Sequence, residues 1–326
     1  MRWSAEGQGG IVESLFLKFH IPEEGAAFWT RYTLRRPLPG CGKPVGCLWA
    51  VHSSVTGEQT AGCDTYSASE ISVDTDPFNL TIGPGGLSMG RATGRVKASG
   101  GGELEWDLGF EAGDGCLVHF PLEAMYHIGF PRNKLASPHV STRFYGTVRV
   151  GDRTFRVDGA RGMQGHNWGP GVSDHWVWSH INTFEGRDDV VFEGLSSILR
   201  LGPVSLPPLT ILYLKVAGRE WLLNAPHQML LGRSSTEGLT WKFGGCCSGI
   251  GISGTVAASS GLTTGLDYIS SDGSVKRCLN SNLADARIMV TGLPEGALEL
   301  TSLRTATLEM GGEAAIGVDV PVTVKG

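Results

Sequence analysis

Glu103-Leu104-Glu105-Trp106-Asp107-Leu108-Gly109-Phe110-Glu111 alternates polar and apolar residues without a break. Successive side chains of a strand point to opposite faces, so this stretch predicts a strand with one face in a core and the other in water. The same style recurs outward in both directions. Residues 15–20 and 27–34 flank Pro22-Glu23-Glu24-Gly25 and read as a hairpin, and residues 144–150 and 153–157 flank Gly151-Asp152, a strong turn signal. Further strands are expected at 47–52, 70–73 and 78–82. In the second half they are expected at 174–184, 188–195, 211–216, 219–224, 239–243, 251–257, 262–270, 287–290, 298–305 and 318–324. Amphipathic helices are almost absent. Residues 283–289 have the composition for one helical turn but lead straight into an apolar, strand-like run. Short strands separated by glycine turns predict an all-β barrel or sandwich architecture.

Composition narrows the class. The chain has 326 residues, enough for two domains of about 160. We place them at residues 1–158 and 159–326, packed against each other, because the Gly-rich segment after 158 contains no low-complexity linker. Glycine numbers 48, about twice the usual share, without a three-residue period, which excludes collagen and suits turns and bulges. With 27 basic and 32 acidic residues the net charge is −5, so no general field draws the chain to nucleic acid. No apolar run reaches the ~20 residues of a membrane helix, and the first residues lack the pattern of a signal peptide. Seven cysteines with no CxxC spacing suit neither a disulfide framework nor a zinc site. Reduced thiols packed as small apolar residues, in a cytoplasmic protein, are the expectation.

Two stretches carry chemical information. Gly165-His166-Asn167-Trp168-Gly169-Pro170 surrounds an imidazole and an indole with glycines that let the backbone aim them inward. In Asp174-His175-Trp176-Val177-Trp178-Ser179-His180-Ile181-Asn182, strand geometry puts Trp176, Trp178, His180 and Asn182 on one face. Two indoles followed by two polar groups suit a ligand with an apolar body and one polar end. A bland reading stands beside this: His166 and Trp168 could plug a barrel end with their N–H groups on backbone carbonyls, and the tryptophans could be ordinary core. A metal site from His166, His175 and His180 is disfavoured, because His175 and His180 fall on opposite strand faces. The GxSxG match at residues 86–90 and the GxGxxG match at 249–254 both lack the helix that their chemistry requires. Asn79-Leu80-Thr81 is a glycosylation sequon that means nothing without secretion.

At these residues the chain resembles the twin-lipocalin superfamily of the hydroxyneurosporene synthases (carotenoid 1,2-hydratases) and tocopherol cyclase-like proteins, nearest to an uncharacterised bacterial branch. Four segments carry the likeness. They are residues 13–17 with 28–32, Pro131 through Pro138, Gly162-Met163-Gln164-Gly165-His166-Asn167-Trp168-Gly169, and Asp272-Gly273 through Asn280, Asn282, Ala284 and Asp285. The resemblance implies two consecutive lipocalin-like antiparallel up-and-down β-barrels, with the mouth of the first read by aromatic and polar side chains. It implies an apolar, isoprenoid- or polyketide-like substrate handled without cofactor or metal: a carboxylic acid protonates an alkene, and water or an internal hydroxyl captures the cation. His166 and Trp168 match that family's His and Trp. Its Tyr and Asp fall where this chain has Phe192 and Glu193, so Phe192 would stand for the hydroxyl and Glu193 for the acid.

The expected site therefore has Glu193 as general acid, kept protonated by an apolar pocket, and His166 orienting it or taking a proton. Asn167, Trp168, Trp176, Trp178, His180 and Asn182 would bind the ligand, with Lys134, His139, Asn280 and Asn282 as weaker candidates. Lys134 reads more readily as an interdomain contact. A non-catalytic carrier or sequestering protein for a similar molecule is the competing function, and a scaffold the least specific one.

Overall fold

The computed structural model describes residues 1–113, 115–198, 200, 201 and 204–326. The first sheet contains β1 (Ile11–Ile21), β2 (Ala26–Arg36), β3 (Val45–Ser54), β4 (Gln59–Ser67), β5 (Ile71–Thr75) and β6 (Phe78–Ile82). It continues with β7 (Gly85–Ser88), β8 (Arg91–Lys97), β9 (Glu103–Phe110), β10 (Leu117–Val118), β11 (Lys134–Val150) and β12 (Arg153–Gly169). Its order is β4-β3-β2-β1-β12-β11-β9-β8-β7-β6-β5, with β10 beside β11. A bridge between Gly62 of β4 and Ala98 just after β8 brings distant parts of the sheet together and nearly closes the barrel.

The second sheet begins with β13 (His175–Ile181) and β14 (Val190–Ser197). A small ribbon, β15 (Arg200–Leu201) and β16 (Val204–Ser205), separates these from β17 (Leu209–Val216), β18 (Arg219–Leu223), β19 (Arg233–Glu237), β20 (Thr240–Cys247) and β21 (Ile250–Ala257). Then follow β22 (Thr264–Ile269), β23 (Val275–Thr291), β24 (Leu298–Gly312) and β25 (Val322–Lys325). The order is β18-β17-β14-β13-β24-β23-β21-β20-β19, with β22 on β23 and β25 parallel to β22. The all-β, two-barrel expectation holds. A single short α-helix, α1 (Pro226–Leu231), and a few 3-10 turns interrupt the described strands, and no described helix is long and apolar enough to cross a membrane.

Two expectations need correction. The sheets change at residues 170–174, later than the expected boundary after 158, because β12 continues past Val157 to Gly169 and pairs with both β1 and β11. Residues 283–289 form no helical turn; they lie inside β23, held by ladders to β21 and β24.

Each sheet wraps its own core. Leu17, Phe19, Phe28, Trp106 and Phe144 fill the first. Phe192, Leu212, Trp241, Phe243 and Ile288 fill the second. A third cluster lies between the sheets, where Trp29, Trp49 and Met163 of the first meet Trp176, Trp178, Leu266 and Tyr268 of the second. β1, β2 and β3 are thus buried on both faces, one in the barrel and one against the partner sheet. β8 and β9 alternate buried and open positions because their outer face meets water.

All seven cysteines are free thiols. Cys47 and Cys278 are buried as expected, whereas Cys41, Cys116 and Cys246 lie exposed in turns and at strand ends.

Candidate functional site between the two sheets

A hollow of about 710 Å³ lies in the seam between the sheets, whereas the sequence reading places the cavity inside a barrel. The aromatic side chains of the two cores fill the barrels themselves. The seam remains open where the 120–136 segment and the ends of β12 and β13 diverge. That volume suits a small-molecule site.

Glu193 lines this cavity from β14 and is 3% exposed. Trp178 Nε1 donates to its Oε1 at 3.0 Å, His119 Nε2 donates to the same oxygen at 3.0 Å, and Ser137 Oγ lies 3.0 and 2.9 Å from the two oxygens. Burial alone would push the carboxyl up. His119, His180 and the Trp178 N–H outweigh it and hold Glu193 down at about 2. The expected neutral acid is therefore an ionised carboxylate, because the pocket is apolar in outline but supplies donors at this point. Phe192 cannot stand for a hydroxyl beside it: strand alternation turns that ring into the second core.

His166 reaches the same cavity from β12. Its Nε2 donates to Glu13 Oε1 at 2.8 Å, and the other Glu13 oxygen accepts the backbone N–H groups of Arg2 and Trp3, each at 2.7 Å. Burial pushes Glu13 up, but His166 and these amides hold it below its ordinary value. The imidazole packs on Trp168, 4.6 Å between ring centroids. Gly165 is required here, since any Cβ would strike the Phe16 ring across the ladder. His166 and Glu193 line one cavity, but each has its hydrogen-bonded partner elsewhere, so the expected direct pairing is replaced by two separate carboxylate–imidazole pairs.

The Trp176-to-Asn182 row splits in two. Trp176 and Trp178 line the cavity, as do Asn167 and Trp168. His180 and Asn182 do not. His180 Nε2 donates to Val140 O at 2.7 Å, and Asn182 Nδ2 donates to Gly162 O at 2.7 Å and to Ser141 Oγ at 3.2 Å. Both lie on the predicted face, yet that face meets the first sheet there and leaves no room for a ligand. Burial and the nearby Lys18 charge push His180 down to about 3. His139 accepts a hydrogen bond from Gly113 N–H at 3.0 Å and is structural. Lys134 lines the cavity and donates to Pro131 O. Asn282 Nδ2 donates to Asn280 Oδ1 at 2.8 Å, and Asn280 Nδ2 to Glu309 Oε2 at 3.3 Å. These asparagines therefore brace a carboxylate of the cavity wall.

Two buried ionisable residues beside the cavity wall are not marked by any sequence motif. His119, fully buried, follows the two-residue strand β10 in a stretch with no motif, and only the fold brings it to Glu193. Lys18 is buried on the outer face of β1, donates to His180 O at 3.3 Å, and is pushed down by burial to about 7, with Glu193 opposing that shift. Its signal was available: a lysine inside Leu15-Phe16-Leu17-Lys18-Phe19-His20 implies burial on both faces of the strand. Among the described residues no three His, Cys, Asp or Glu side chains converge as a metal-ligand set.

Fold and cavity together define the class: two consecutive antiparallel barrel-like sheets joined through a seam that holds a polar-edged hollow. Two solved structures share this architecture at low sequence identity. Kievitone hydratase from Nectria haematococca superposes with a TM-score of 0.58 over 93% of this chain and 88% of its own, at 10% identity. An AttH candidate from Nitrosomonas europaea gives a TM-score of 0.55 over 93% of each chain, also at 10% identity. At that identity the likeness is one of fold. In sequence, an uncharacterised Mycobacterium tuberculosis protein, Rv0493c in strain H37Rv and MT0513 in strain CDC 1551, is 26% identical over 291 residues, 89% of this chain and 84% of its own. No family model matches this chain.

Proposed function

We propose that the protein binds an apolar small molecule in the seam cavity and moves protons on it, in a hydration, isomerisation or cyclisation that needs no cofactor. One observation carries this reading. Two carboxylate–imidazole pairs reach the same cavity in opposite order, with His166 in front of Glu13 and Glu193 in front of His119. One pair offers an imidazole to the ligand and the other a carboxylate. In a hydration, an imidazolium at His166 gives its proton to an alkene carbon while Glu193 takes one from the attacking water; the sum is addition of H and OH. Glu13 fixes the ring and supplies counter-charge while it holds its second proton. The indoles of Trp168, Trp176 and Trp178 can steady a developing cation, by roughly 1–2 kcal/mol each when desolvated. The fold shared with a named hydratase and the resemblance to carotenoid hydratases and tocopherol cyclases support the reaction class and the isoprenoid-like substrate. A fold by itself does not fix chemistry.

The test begins with native mass spectrometry of protein purified from its own cells, to identify a retained compound. That compound is then incubated with enzyme in water enriched in oxygen-18 and deuterium. Isotope should enter the compound with wild-type protein, and Glu193→Gln should slow entry by about 10²–10⁴-fold while the compound stays bound. Retention without any isotope entry would instead make the protein a carrier.

A further inference from the structure

Arg31 belongs to neither proton-transfer pair. It projects from the outer face of β2, is 4% exposed, and lines the seam cavity. Its guanidinium lies over the Tyr268 ring, 4.2 Å from the centroid. Nε donates to Thr33 Oγ1 at 3.1 Å and Nη2 to Ser14 Oγ at 2.8 Å, both neutral hydroxyls. Among the described residues Nη1 has no acceptor and Arg31 forms no ion pair. Glu309, a carboxylate in the same cavity wall, instead accepts from Trp176 Nε1 at 3.0 Å and Asn280 Nδ2 at 3.3 Å.

A buried guanidinium without counter-charge is costly, and stacking on a phenol offsets only part of that cost. Its planar fork fits a carboxylate or phosphate, with Nη1 available for the contact. The ionised Glu193 would repel an anion at its own position in the cavity, so a charged ligand head is favoured at Arg31. Of the other cations in the wall, Lys134 donates to Pro131 O, Lys276 pairs with Asp174 at 2.6 Å and Arg132 is exposed, so the one buried guanidinium left for a ligand matches one negative charge better than two.

We infer that the ligand carries a carboxylate head seated on Arg31, with its apolar body running past Phe16, Trp29 and Trp178 toward Glu193. This rests on the reading that the seam cavity takes an apolar guest. It narrows the substrate class from neutral isoprenoid-like molecules to acids of that kind.

Binding of the fluorescent polyene cis-parinaric acid and of its methyl ester tests the inference. Wild-type protein should bind the acid at least tenfold more tightly than the ester. Arg31→Gln should weaken the acid by that factor and leave the ester unchanged, and Arg31→Lys, which keeps the charge, should restore part of the preference. Dodecanoate should displace parinaric acid better than dodecyl phosphate; the reverse order would overturn the carboxylate assignment. Equal binding of acid and ester, or a preference that survives Arg31→Gln, would overturn the inference and leave the cavity reading standing. If neither probe binds, the cavity reading falls and takes the inference with it.

Discussion

Glu193 keeps its charge in a buried place because an indole, an imidazole and a hydroxyl all donate to it. Lys18 shows the opposite outcome on the same seam: its one hydrogen bond is to a carbonyl, and burial depresses its pKa to about 7. The linkage is direct. An unfolded lysine titrates near 10.5, so between pH 7 and about 10.5 the unfolded chain holds a proton that the folded one has released. Stability must therefore rise with pH across that window, and the penalty of a buried charge is fully felt below pH 7. We expect Lys18→Met to gain most over the wild type at pH 7 and to lose that advantage by pH 10, read as melting temperatures at both. A gap that does not change with pH would mean that Lys18 keeps its ordinary pKa. The sequence exposed Glu193, His166 and the tryptophans because each sits in a short run of unusual residue types. His119 was hidden, since its role depends on a contact to a residue far along the chain, and the charge state of Glu193 was misjudged because its donors come from three separate elements.

Strands carry their surroundings in their patterns. β9 alternates and has one wet face; β1, β2 and β3 carry apolar residues on both faces and have none. That contrast marks the first barrel's docking face. The boundary was placed too early for a related reason. Gly151-Asp152 is a true hairpin turn, but the arms of β11 and β12 are far longer than the local apolar pattern suggests, and their bulged far ends deliver Lys134, Ser137, His166 and Trp168 to the cavity. β24 makes a complementary contribution through an absent side chain: a Cβ at Gly311 would overlap the indole of Trp176 on neighbouring β13. Gly311→Ala should push that indole into the hollow, destabilise the protein by about 1–3 kcal/mol through overpacking, and weaken parinaric acid at least tenfold. Unchanged binding with intact fold would show that Trp176 has space to move elsewhere.

The segments that carry the family resemblance are scattered from residue 13 to 285, and the fold gathers them around one seam: Ser14 and Arg31, Lys134, His166 and Trp168, Asn280 and Asn282. What holds the seam together is polar as well as apolar. His20 Nε2 donates to Asn282 O at 2.6 Å, His180 to Val140 O, Asn182 to Gly162 O, and Asn224 Nδ2 to His119 O at 3.0 Å. Each of these bonds joins the two sheets. Separating the sheets would leave buried donors and acceptors unpaired and expose the tryptophan cluster to water, so neither sheet is expected to persist after the other melts. Urea unfolding followed by tryptophan fluorescence and by far-ultraviolet circular dichroism should give coincident single transitions. Asn182→Ala removes one weld without touching the cavity and should lower the stability of the whole by about 1–3 kcal/mol, shifting both signals together. Two resolved transitions, or a variant that shifts only one signal, would mean that the sheets are independent units and that the cavity between them opens well before either barrel unfolds.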